Sequence, residues 1–133
     1  MDFNNILIGT DNAEAMVEYY TKLFGPPQFS EGGFSGWQFG EGFVSIGTHS
    51  EVHGRNEQPG RLIWNMEEAD VRGTFEKLKA AGAIVVQEPY EMDGAPGYSI
   101  ATLADPDGNY FQLTTPYEMA GMSGMSGGAD SGD

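Results

Sequence analysis

One offset organises this chain. A shift of 58 residues lays Ala13 over Val71, Val17 over Phe75 and Tyr20 over Leu78, and it also sets Ile6 over Trp64 and Ile8 over Met66. Identities hardly match across the shift, so what repeats is the order of elements and the spacing of apolar residues. A supersecondary unit used twice must bury the apolar stripe of each helix against strands, which leaves few architectures open.

The first copy opens on Ile6-Leu7-Ile8, broken by Gly9-Thr10-Asp11. Asp11 with Glu14 three residues on has the form of a helix N-cap and its reciprocal partner. Ala13, Met16, Val17, Tyr20, Leu23 and Phe24 then follow at helical spacing until Gly25-Pro26-Pro27 stops them. Strand-like runs come next, around Gln28-Phe29, over Phe34 to Phe39 and over Phe43 to Gly47, with glycines at their turns. After a polar connection from His49 to Gly60 the order begins again. Leu62 to Met66 reads as a strand, and Val71, Phe75, Leu78 and Ala81 as a helical stripe ended by Gly82. Ile84 to Val86 and Tyr98 to Leu103 read as strands, and Asp105-Pro106-Asp107-Gly108 as a tight turn into a last strand, Asn109 to Thr114.

The 133 residues suit one domain. We therefore expect an α+β domain over residues 1–117, made of two βαβββ modules at about 3–48 and 60–116. Their sheets would pair into a curved mixed sheet around a central cleft, with the helices outside. From Glu118 to Asp133 the chain is so rich in Gly and Ser that a disordered tail is expected.

Twenty acidic residues against six basic ones give a net charge of −14. With no basic patch to release counterions, neither nucleic acid nor an anionic membrane is expected as a partner. The absence of cysteine removes thiolate metal sites, disulfides and cysteine nucleophiles. No run approaches the roughly 20 apolar residues of a membrane span, and Met1 to Ile8 does not read as a signal peptide, so a cytoplasmic location is expected.

The stretch Ala101-Thr-Leu-Ala-Asp-Pro-Asp-Gly-Asn-Tyr-Phe-Gln-Leu113 resembles the final hairpin of the vicinal oxygen chelate family. That family includes glyoxalases, bleomycin-resistance proteins, extradiol dioxygenases and fosfomycin-resistance enzymes. Asp11 to Gly25, through Tyr19-Tyr20 and Leu23-Phe24, resembles its first helix, and Phe75 to Gly82 its second. The resemblance implies a cleft metal held by His, Gln or Glu at four strand positions. Carried over, those positions fall on Asn4 or Asn5, Ser45 or Gly47, Arg61 and Gln112. Carboxamides, a hydroxyl and a guanidinium are poor at replacing the hydration of a divalent cation, so no metal cofactor is expected. Pairing of two chains into a homodimer is implied by the resemblance alone.

Strand alternation supports the carry-over. If Leu62, Trp64 and Met66 face the helix, Arg61, Ile63 and Asn65 face the cleft; if Phe111 and Leu113 face the core, Tyr110, Gln112 and Thr114 do not. Arg61 then reads either as a surface residue or as the anchor of an anionic group. Trp37, Tyr98 and Tyr110 read as core packing or as aromatic walls. His49 and His53 stand four apart, but in a segment without a helical stripe, where solvated loop histidines are the ordinary case. The favoured expectation is small-molecule binding through Arg61, Asn65, Gln112, Tyr110, Trp37 and His49 beside a degenerate metal site. The alternative is a metal-dependent lyase or dioxygenase using a displaced site that includes His49.

Overall fold

A computed structural model describes residues 1–116; the expected tail lies outside the described residues. Two compact units are present. One comprises residues 1–59 together with 105–109, and the other 60–104 together with 110–116 of the described residues.

In the first unit the elements are β1 (Asn5–Thr10), α1 (Ala13–Phe24), β2 (Phe29–Glu31), β3 (Phe34–Phe39) and β4 (Gly42–Thr48). They form a four-stranded sheet of order β1-β4-β3-β2, with β1 and β4 parallel and the other pairs antiparallel. The second unit has β5 (Trp64–Glu67), α2 (Val71–Ala80), β6 (Ile84–Glu91), β7 (Ser99–Ala104) and β8 (Tyr110–Thr114). Its sheet runs β5-β8-β7-β6, again with one parallel pair, β5 with β8. The helices begin at Ala13 and Val71, the offset visible in the sequence. The repeat is therefore structural, and the fold is α+β with two βαβββ units.

Apolar stripes become cores as expected. Met16 and Tyr20 of α1 are fully buried with Trp37 and Ile46 of the sheet, and Tyr20 meets Trp37 edge-on at 5.7 Å. In the second unit Phe75 of α2 is fully buried, as are Leu103, Phe111 and Leu113, while Trp64 stacks on Phe111 at 5.0 Å. Each such side chain contributes about 1.5–3 kcal/mol by leaving water.

Two local expectations are corrected. Asp11 does not cap α1: its carboxylate accepts the Gly54 N–H at 2.9 Å, and Asn12 stands at the cap without a side-chain bond to the helix. Thr10 takes over part of that role, its hydroxyl oxygen accepting the Asn12 N–H at 2.9 Å. The side chain that caps a helix is Asp70 on α2, accepting the Gly73 N–H at 2.9 Å. Leu62 does not face a helix either. It is 73% exposed, because the strand starts only at Trp64 and Pro59–Arg61 forms a short 3-10 turn before it.

Residues 105–109 form a turn that belongs to the first unit. Asp105, which has no exposed surface, accepts the N–H groups of Asp107 and Asn109 at 2.9 Å each on Oδ1 and the Tyr20 hydroxyl at 2.8 Å on Oδ2. Asp107 accepts the Thr10 hydroxyl at 2.6 Å. Gly108 takes φ +87, a backbone conformation that side-chain-bearing residues rarely adopt.

Candidate functional site

The most coherent polar arrangement lies within the second sheet. Its register pairs Asn65 of β5 with Gln112 of β8, Gln112 with Thr102 of β7, and Thr102 with Gln87 of β6. Paired residues project to the same face of a sheet, so three carboxamides and one hydroxyl form a single row across all four strands. The opposite parity holds the buried apolar set Phe111, Leu113, Leu103 and Ala101. At the centre of the row the Gln112 Nε2–H donates to the Thr102 hydroxyl oxygen at 3.0 Å. Thr102 is 7% exposed and Gln112 half-buried, whereas Asn65 and Gln87 at the ends are exposed. The same face carries Tyr110, Ala104 and Ile84 in the register row on one side, and Glu67, Thr114, Ile100 and Tyr90 on the other.

Asn65, Gln112 and Tyr110 are thus brought to one face, as alternation predicts. Thr102 and Gln87 were not anticipated. Thr102 obeys the alternation of Tyr98 to Leu103 and was legible on parity. Gln87 was not, because register shifts on either side of it put Ile84, Gln87 and Tyr90 on one face at intervals of three residues.

The remaining expected site residues lie elsewhere. Arg61 is exposed in the Pro59–Arg61 turn, outside the strand alternation that was to aim it. Trp37 is core, 2% exposed, with its indole N–H donating to the Gly25 carbonyl at 2.8 Å. That bond satisfies its one polar group and leaves no wall for a ligand. Tyr98 is likewise buried. His49 follows β4 on an exposed loop, its Nδ1 accepting the Glu51 N–H at 3.1 Å. His53 is exposed on the same loop and borders a cavity of about 340 Å³ in the first unit with Glu51, Arg55, Asn56 and Asp107.

The four positions at which the resemblance implies metal ligands do not fit a divalent cation. The Asn5 carboxamide donates to Asn4, and the Ser45 hydroxyl donates to the Ile6 carbonyl at 3.4 Å. Gly47 offers no side chain, and the Phe34 ring occupies the space where one would stand. Gln112 is engaged with Thr102, and Arg61 is a cation. None is an anion or an imidazole, the groups able to displace a cation's hydration. Among the described residues no three His, Asp or Glu side chains come together as a metal set.

The strongest electrostatic perturbation sits in the turn of the first unit. Burial raises the Asp105 carboxyl above its usual 3.8, although the Asn109 and Tyr20 hydrogen bonds pull the other way. Burial, with the Asp105 charge beside it, raises the Tyr20 hydroxyl well above 10.0. Both groups are spent on each other, which marks a structural anchor. Among the described residues no helix is long and apolar enough to cross a membrane.

Two βαβββ units with matching sheet orders define a paired-module protein. The model of the Glyoxalase/Bleomycin resistance protein/Dioxygenase superfamily matches residues 2–113, and the chain belongs to that superfamily. Among solved structures, the chain is similar to a glyoxalase-related enzyme from Fulvimarina pelagi. That match has 20% identity and a TM-score of 0.68, covering 87% of this chain and 88% of the other. A glyoxalase/bleomycin resistance protein/dioxygenase family enzyme from Burkholderia phytofirmans PsJN is 23% identical at a TM-score of 0.66, covering 86% and 98% respectively. TioX from Micromonospora sp. ML1 is 19% identical at 0.64, covering 86% and 98%. At these identities the likeness concerns the fold. No curated protein matches the chain.

Proposed function

We propose that this chain is a small-molecule binding protein of the bleomycin-resistance type, holding its ligand by hydrogen bonds along the Asn65–Gln112–Thr102–Gln87 row without a resident metal. The observation that supports this reading is the strand register, which aligns the four polar side chains on one face. The Gln112–Thr102 bond fixes the central pair before any ligand arrives. Tyr110, one register row away, supplies an aromatic contact. Arg61 and His49, exposed on connections, are secondary to the row. A homodimer is part of the reading, by family resemblance, as is the cytoplasmic location expected from the sequence.

A thermal-shift ligand screen of wild type and Gln112→Leu, run beside metal analysis with nickel, zinc or iron added, tests it. The expected outcome is stabilising ligands whose effect is lost in Gln112→Leu, and no stoichiometric metal. A tight equivalent of metal that disappears in His49→Ala would overturn this reading in favour of the alternative, a lyase or dioxygenase using a displaced metal site. A screen without hits would point to an interaction module.

A further inference from the structure

We infer that the molecules the row accepts are neutral and present amide edges, as lactams, imides and diketopiperazines do. This rests on the small-molecule reading above and specifies its ligand class.

The polar groups of the row set the chemistry. Asn65 and Gln112 each carry a carbonyl acceptor and an NH2 donor, and Thr102 a hydroxyl; Gln87 gives one amide N–H to the Glu88 carbonyl at 3.1 Å and keeps its Oε1 and a second N–H. The row spans roughly 14 Å, four strands at about 4.8 Å spacing. Donation of Nε2 to Thr102 leaves the Gln112 Oε1 as an acceptor and the Thr102 hydroxyl proton as a donor, side by side. A cis-amide edge, with one N–H beside one C=O, is the complement of that pair.

Charge points the same way. The row itself, Asn65, Gln112, Thr102 and Gln87, carries no cation, so a carboxylate or phosphate would exchange its hydration for neutral donors alone. The chain's net charge of −14 adds long-range repulsion to any anion. An ammonium is drawn to the chain by the same charge, but within the row it meets no carboxylate, and Glu67 in the next register row is exposed on an edge strand, where an ion pair contributes little. A neutral amide is matched by the row's own donors and acceptors without an ionic partner. Tyr110 with the exposed Ile84 on one side, and the exposed Tyr90 on the other, flank the row with apolar surface suited to the faces of a small ring.

The test is a side-chain amide NMR titration of wild-type protein with three probes: 2,5-diketopiperazine, succinate and putrescine. Diketopiperazine is expected to shift the NH2 resonances of Asn65, Gln87 and Gln112, with its affinity falling about tenfold in Gln112→Leu and in Thr102→Val, about one hydrogen-bonded pair each. The backbone amide spectrum of each variant reports whether the fold is kept, and the wild-type titration needs no variant at all. If succinate or putrescine shifts these resonances and diketopiperazine does not, the neutral-amide class is overturned while small-molecule binding stands. If no probe moves them, the neutral-amide class is overturned, and the broad ligand screen above decides small-molecule binding separately.

Discussion

Asp105 shows how one carboxylate decides the shape of a motif. It has no exposed surface, and its oxygens are shared among two backbone N–H groups, Asn109 and Tyr20. Because burial raises its carboxyl above 3.8, the folded state holds the proton more tightly than the unfolded chain does. Its proton-linked stability is therefore fully present below 3.8 and is lost as pH rises through the folded value. Urea unfolding of wild type and Asp105→Asn across the acid range should show the wild-type advantage shrinking as pH rises from about 4; an advantage that grows would contradict the raised carboxyl. A second residue-scale outcome concerns Gly47, where an added Cβ would collide with the Phe34 ring. Gly47→Ala should cost about 1–3 kcal/mol, and Phe34→Ala in the same chain should recover part of it. Full additivity in that double-mutant cycle would dismiss the clash. At this scale the sequence is partly legible. The turn is plain in Asp105-Pro106-Asp107-Gly108, but Tyr20 reads as packing alone, since a hydroxyl bond across 85 residues leaves no local mark.

Helices are more legible than strands, for a physical reason. The 3.6-residue stripe ending at a glycine is a signal internal to the helix, and both helices start at residues the offset pairs. Capping is harder, because Asp11 and Asp70 look alike in sequence and only the fold decides that Gly54 takes the first. Asp70→Ala should consequently destabilise by about 1 kcal/mol, with Asp11→Ala costing less; chemical denaturation of both variants compares them, and the reverse order would refute the assignment. Strand β6 shows in the sequence only as Ile84 to Val86, whereas it continues to Glu91 through two register shifts, with Pro89 inside it. Such irregularity is tolerated at the edge of a sheet, where half the backbone groups face no partner strand. It also explains why Asn65 and Gln112 can be found by counting and Gln87 cannot. Arg61 is lost to the same limit, a strand that begins only at Trp64 because a 3-10 turn precedes it.

Across the whole chain the charge is one-sided. A net −14 with six basic residues means that compaction works against self-repulsion. Raising sodium chloride from about 0.01 M to about 1 M shortens the screening length from roughly 30 Å to 3 Å, so the melting temperature in calorimetry should rise. A fall would show that attractive pairs outweigh repulsion, against the exposed ion pairs around Arg72. The twofold architecture is legible because element order survives when identity does not; the assignment of one turn to a unit is not. The first compact unit takes in residues 105–109, which a linear division at residue 60 assigns to the other copy. The offset invites the idea of an ancestral half-gene that could still be expressed alone, but the thread of the chain forbids it. A fragment ending at Pro59 would carry Thr10 and Tyr20 without Asp107 and Asp105, the carboxylates their hydroxyls need. Two repeats in sequence are thus not two separable lengths of chain: a cut at Pro59 takes both carboxylates away from the unit whose hydroxyls they receive.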